Sequence, residues 1–144
     1  MSKDISAIIA PRVSIAPVAV TGTVEGVGVD VSDCDSFAVV IPVGVITTLN
    51  ATDKLTATVL LGPDSTIGNA TAVDAAGYIN PRDSDGDDWD RILDASAEAA
   101  RVYYFGVMNL TNSLFAFVKL TAAGSPSVVL AAAIVKGNLR VAPK

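Results

Sequence analysis

The residues best suited to chemistry lie together in Asp83-Ser84-Asp85-Gly86-Asp87-Asp88-Trp89-Asp90. Clustered carboxylates of this kind suit Ca²⁺, which takes about six to eight oxygen ligands. Asp83, Asp85, Asp87 and Asp90 are the candidate ligands. An EF-hand series begun at Asp83 also reaches Asp85, Asp87 and, at its last position, Asp94. It puts Asp88 where such a loop needs glycine, so that reading fails. A looser calcium loop, an acidic docking patch for a basic partner, and a solvated acidic turn with Trp89 plugged into the domain beneath remain open. Paired-carboxylate hydrolysis is disfavoured. A catalytic acid needs burial to shift its pKa, and a cluster this polar is expected to be exposed.

The rest of the chain excludes most other chemistry. There is no histidine and one cysteine, Cys34, among 144 residues. Ser-His-Asp and Cys-His catalysis and Cys/His zinc sites are therefore absent. Asp33 and Asp35 flank Cys34 and oppose thiolate formation. Gly22 and Gly26-Val27-Gly28 lack the Gly-Lys-Ser/Thr ending of a phosphate loop. No catalytic residue and no cofactor is expected, and the chain does not read as an enzyme. Nucleic acid is not an expected partner, because the pI is 4.4 and the terminal bases lack interleaved aromatics. Tyr103, Tyr104, Phe105, Phe115 and Phe117 read as core at strand spacing.

Composition points to surfaces instead. Hydrophobic residues make up 51% and charged residues 17%, against about 25% charged in typical domains. The mean hydropathy is +0.50. The surplus is Ala and Val; either many small apolar residues lie on the outside or, the favoured reading, apolar area is buried against partners. Charge is divided along the chain. Residues 1–98 hold fifteen acids and five bases, net −10, and residues 99–144 hold five bases and no acid, net +5. The longest uncharged stretches, Ser36–Thr52 and Val102–Val118, fall short of the roughly 20 apolar residues of a spanning helix, so no membrane role is expected. They read as pairs of buried strands.

Three parts follow. Residues 1–20 carry Pro11 and Pro17 in an apolar, β-branched segment, which predicts an extended arm or, alternatively, an ordinary edge strand. Residues 21–135 carry closely spaced strand signals. Thr23–Val31 alternates, and Ser36–Val45 is apolar enough for a strand buried on both faces. Lys54–Leu61 is a strand, Gly62-Pro63-Asp64-Ser65 a turn, and Asn69–Val73 a return strand. Asp74–Glu98 reads as a long loop, with a short helix capped by Asp94 near its end. Val102–Leu110, Leu114–Leu120 and Ser127–Val135 read as a three-strand meander. Residues 136–144 form an extended tail. The expected fold is an all-β antiparallel sandwich, jelly-roll-like or Greek-key. Ile5, Ile8, Ile9, Val13 and Ile15 of the arm, with Lys136, Arg140 and Lys144 of the tail, are the candidate partner contacts.

The order of motifs also carries a resemblance. Val20-Thr-Gly-Thr-Val24 leads to Val29-Asp-Val31 and then to Asp35-Ser-Phe-Ala-Val-Val-Ile41. A polar Asp-Gly turn precedes Trp89-Asp-Arg-Ile92, followed by Val102-Tyr-Tyr-Phe105 and by Ala131-Ala-Ala-Ile-Val-Lys-Gly-Asn-Leu-Arg-Val-Ala-Pro143. Over most of residues 20–144 this resembles the head-decoration, or cement, proteins of tailed bacteriophages. The resemblance implies a β-sandwich made in the host cytoplasm and seated on the virion. It would bind the major capsid protein in several copies, as a dimer or trimer, with no catalytic residue. A calcium-dependent adhesin or carbohydrate-binding sandwich, and a subunit of a phage tail or other surface assembly, are the competing expectations.

Overall fold

Apolar residues at every second position give a strand one dry face, and five long segments obey that rule. In the computed structural model, which describes residues 10–96, 99–109 and 113–139, β4 (Cys34–Thr48) turns Phe37, Val39, Ile41 and Val43 inward. β5 (Lys54–Gly62) buries Leu55, Ala57 and Val59, and β9 (Val102–Met108) buries Tyr103, Phe105 and Val107. β10 (Phe115–Ala123) buries Ala116, Val118 and Leu120 toward the other sheet, and Phe117 of the opposite parity is buried as well, outside that core cluster. β11 (Ser127–Leu139) buries Val128, Leu130, Ala132 and Ile134. These rows form one core between two antiparallel sheets.

The first sheet adds β1 (Ala10–Val20) and β7 (Tyr78–Asp83) in the order β1-β11-β4-β9-β7. The second is centred on β10 and β5. Four two-residue strands flank them: β2 (Val24–Glu25), β3 (Val29–Asp30), β6 (Thr71–Ala72) and β8 (Ile92–Leu93). The fold is all-β and antiparallel, as expected of a sandwich. No helix among the described residues is long and apolar enough to cross a membrane.

The meander does not form. β10 pairs with β5 in the second sheet, while β9 and β11 flank β4 in the first. β4 offers a ladder of 15 residues, long enough for both neighbours. Sending β10 across gives each layer a central strand paired on both edges. The loop expected over Asp74–Glu98 contains β7 and β8, and the helix expected after Asp94 falls partly on residues 97 and 98, outside the described residues.

The segment read as an arm or an edge strand is an edge strand from Ala10 onward, with residues 1–9 outside the described residues. It pairs with β11 from Ala10 opposite Lys136 to Val20 opposite Val128. Residues 136–139 correspondingly belong to β11 and not to a tail. Register shifts fall between Val13 and Ile15 and between Ile15 and Val18. The first turns both Ser14 and Ile15 inward. Ser14 Oγ donates to the Val27 carbonyl at 2.9 Å and accepts from the Val118 N–H at 3.2 Å. The Ser14 carbonyl accepts from the Val27 N–H at 2.8 Å. This joins the two sheets at the β1 edge, and it interrupts the expected alternation of Thr23–Val31 between β2 and β3. A Cβ on Gly26 would collide with Ser14 Oγ.

Ser14→Ala is therefore expected to leave the buried Val118 N–H without an acceptor and to destabilise by about 1–3 kcal/mol. Gly26→Ala should cost at least as much, because backbone as well as the hydroxyl stands in its way. Urea denaturation of both variants, read as a lower midpoint at unchanged slope, checks this.

Candidate functional site: an uncharged sheet face

The strands that fill the core also have outer faces, and the two sheets treat theirs differently. On the second sheet, Lys119 lies opposite Glu25 and Thr58, Thr121 opposite Thr56, and Ala123 opposite Lys54. Lys119 Nζ sits 3.2 Å from Glu25 Oε1. That half of the face is solvated in the usual way of an antiparallel sheet; beyond it the same face carries Phe117 opposite Leu60 and Phe115 opposite Gly62, with Phe117 buried.

The first sheet has no such face. Across it, Ala133, Val40 and Tyr104 form one row, and Val135, Ala38, Gly106 and Ile79 form the next. Pro42 lies opposite Val102, and Gly44 lies against Val129. Tyr104 is 38% exposed, Val129 42% and Val45, just beyond Gly44, 71%. Among the described residues Arg82 is the charged residue whose register puts it here. It sits at the β7 edge, 3.1 Å from Asp88, and donates to the Gly86 carbonyl at 2.7 Å. Ser36–Val45 read as a strand buried on both faces. Within one chain it is buried on one face, and its second apolar face meets solvent.

The acidic cluster is already engaged in its own turn. Asp83 is buried at the end of β7. Its Oδ1 accepts from the N–H groups of Asp85 (2.9 Å) and Asp87 (3.1 Å), and its Oδ2 accepts from Arg101 Nη1 at 2.9 Å. Arg101 Nη2 also lies 3.4 Å from Asp85. Asp90 accepts from the Ile92 N–H at 3.0 Å. Among the described residues no three His, Cys, Asp or Glu side chains converge as metal ligands. Asp83, Asp85, Asp87 and Asp90 are therefore not brought together as a calcium site. Trp89 is buried beneath the turn, its ring 4.5 Å from Tyr103 and its Nε1 donating to the Ile92 carbonyl at 2.8 Å. This is the solvated turn over a tryptophan plug.

Among the described residues the bases after residue 98 are paired in the same manner. Arg101 meets Asp83, Lys119 meets Glu25, and Lys136 Nζ lies 3.0 Å from Asp33 Oδ1. Each joins a base of the second part of the chain to an acid of the first. The charge division is thus answered inside the fold. Lys136, expected in a tail, is only 7% exposed. It and Arg12 line an open groove together with Asp30 and Asp33, so the charges around that groove balance.

The expected contact residues separate accordingly. Val13 is exposed and paired with Ala133 at the rim of the uncharged face. Ile15 is 4% exposed and belongs to the core, because the bulge turns it inward. Lys136 belongs to a buried ion pair. Ile5, Ile8, Ile9, Arg140 and Lys144 lie outside the described residues. The outer rows of β4, β9 and β11 were not singled out from sequence; the signal was there in the double-sided apolarity of Ser36–Val45. Comparison of the chain with protein-family models, curated proteins and solved structures gives no match.

Two outcomes test these assignments. Burial would raise the Asp83 pKa, but the Asp87 and Asp85 N–H groups and Arg101 outweigh it and hold the carboxyl below its ordinary value of 3.8. A depressed folded-state pKa stabilises above the unfolded value and is lost as pH falls through the folded one. Asp83→Asn should lower Tm at neutral pH, and the gap to wild type should close below about pH 3.8; a gap independent of pH would remove the charge from the account. Asp33→Ala should destabilise more than Lys136→Met, because the first leaves a buried ammonium without its partner and the second removes both the charge and its desolvation. Thermal melts of the two variants side by side decide it.

Proposed function

We propose that this chain is a non-enzymatic structural protein of a virion, of the head-decoration kind, which binds the major capsid protein and acts in several copies on the capsid surface. The observation that carries the reading is the outer face of the β1-β11-β4-β9-β7 sheet, uncharged among the described residues but for Arg82 at its β7 edge. A protein that works alone in water presents polar residues there. The motif order that resembles decoration proteins supports the same reading. So does the chemistry of the one acidic cluster, whose central carboxylate serves its own turn. A cement protein needs no reaction; it needs contacts that are individually modest and repeated many times.

Attachment has a defined geometry in this reading. Ala10 pairs with Lys136, and Cys34 with Leu139. The chain before β1 and the chain after β11 thus join neighbouring strands at one end of the sandwich. Ile5, Ile8 and Ile9 on one side and Arg140 and Lys144 on the other are the capsid contacts we assign to that end.

Deletion of residues 1–9, which stops short of β1, should leave circular dichroism and Tm close to wild type. It should abolish binding to empty capsids of the virus that encodes the chain. A longer deletion into β1 would remove Ser14 and Ile15 and confound the result. Full occupancy of the truncated protein on those capsids would overturn the assignment.

A further inference from the structure

The uncharged face has to be covered by something, and the sheet itself narrows the choice. Every sheet edge among the described residues is ill-suited to adding a strand. β1 carries Pro11, Pro17 and two register shifts. β7 bends where Asn80 takes φ 45° before Pro81, and β2, β3, β6 and β8 are two residues each. Proline, bulges and short edge strands all oppose edge-to-edge pairing. Coverage must come from above the face and not from its sides.

We propose that the occupant is a second copy of this chain, packed face to face through the same sheet. The face is self-complementary. β4 is the middle strand of five. On one side of it stand Tyr104 of β9 and Ile79 of β7, both well exposed. On the other side β11 presents the small Ala131 and Ala133 between Val129 and Val135, with Val13 of β1 exposed at the rim. A two-fold axis along β4 lays Tyr104 of each copy over Ala133 of the other, since both stand opposite Val40, and Val135 over Gly106, since both stand opposite Ala38, as an isologous contact requires. It also keeps the strands of the two sheets nearly aligned, which is how sheets pack. Five strands at about 4.8 Å spacing and eight or nine residues of ladder offer roughly 600 Å² per copy. The total, about 1,200 Å², lies at the lower end of stable interfaces, so the dimer should dissociate on dilution. Each copy carries net −5, yet the residues at the axis are neutral and Arg82, at the β7 edge of the face, is already paired with Asp88, so little charge is desolvated when they meet.

The inference rests on the assembly reading of this face but is tested without any capsid. Sedimentation of the full chain from about 1 to 500 µM should show a reversible monomer–dimer equilibrium. Salt should leave it unchanged or strengthen it, because only repulsion is screened. Val40→Glu, at the axis, should weaken the dimer at least about a hundredfold, since the two-fold brings two buried carboxylates together. Thr58→Glu, on the outer face of the other sheet, should not. Val40→Cys should cross-link on oxidation, because Cys34 is buried and only the new thiols meet across the axis; Thr58→Cys should stay monomeric on a denaturing gel. A monomer at every concentration overturns the inference. If Val40→Glu then also loses capsid binding, the capsid is the occupant. If an exposed-surface dye binds the wild type weakly and binds strongly after removal of residues 1–9, the chain's own N-terminal segment is. A dimer that binds no capsid would instead overturn the decoration reading and leave this one standing.

Discussion

A strand has two faces, and a two-layer sandwich can bury only one face of each sheet. The other features of this chain follow from how it meets that constraint. The inner rows of β4, β9 and β11 meet those of β5 and β10 in one dry core. On the second sheet part of the remaining face is given to Thr, Lys and Glu, the ordinary solution for an antiparallel layer, and part to Phe115, Phe117 and Leu60. On the first sheet the remaining face is given to Val, Ala, Gly, Pro and Tyr. Much of the excess hydropathy of the composition thus lies on one side of one layer, where a single contact can bury it.

The edges complement the face. An exposed apolar sheet with open edges would be an aggregation template, because each new chain could extend the ladder and present another edge. Here the long β1 edge is bent by two bulges and tied across the sandwich through Ser14, whose hydroxyl serves both Val27 and Val118. That contact is possible because Gly26 has no side chain to keep the two segments apart. Closed growth through a face and open growth through an edge are distinct outcomes, and the chain opposes the second while leaving the first available.

Much of this is legible in the sequence, and the misreadings have physical causes. Period-two patterning places β4, β5, β9, β10 and β11 within a few residues, because each needs one apolar row. Which strands become neighbours is not written in that pattern, so β9, β10 and β11 read as a meander although β10 crosses to the other layer. β7 is hidden by Asn80 and Pro81, which look like loop and are in fact the bend of an edge strand. Ser36–Val45 is the instructive case. Its apolar run reads as burial on both faces, and the isolated fold provides one. The expectation is unmet by the chain alone and would be met by an assembly. Ile15 and Lys136 fail as contact residues for a different reason: a bulge and a long-range ion pair are decided by tertiary geometry, which spacing does not reveal.

The ion pairs bear on how such an assembly would be held. Arg101 with Asp83, Lys119 with Glu25 and Lys136 with Asp33 each join the basic part of the chain to the acidic part, the last two across most of its length. Charge that would otherwise label the surface for an oppositely charged partner is neutralised within the domain. Arg91 is engaged as well, its guanidinium 3.7 Å above the Tyr78 ring and donating to the Ala57 carbonyl at 3.0 Å. The charges left over are predominantly acidic, so they oppose like chains at a distance, where salt screens them. In the proposed assembly, recognition would then depend on shape and apolar area at short range. Such contacts are slow to find and insensitive to ionic strength. They gain most when many copies hold one another in place, because each further contact forms at a high effective concentration. A face whose described charge is a paired arginine at its edge, rimmed by edges that resist pairing, is the form that the proposed repeated contact would require.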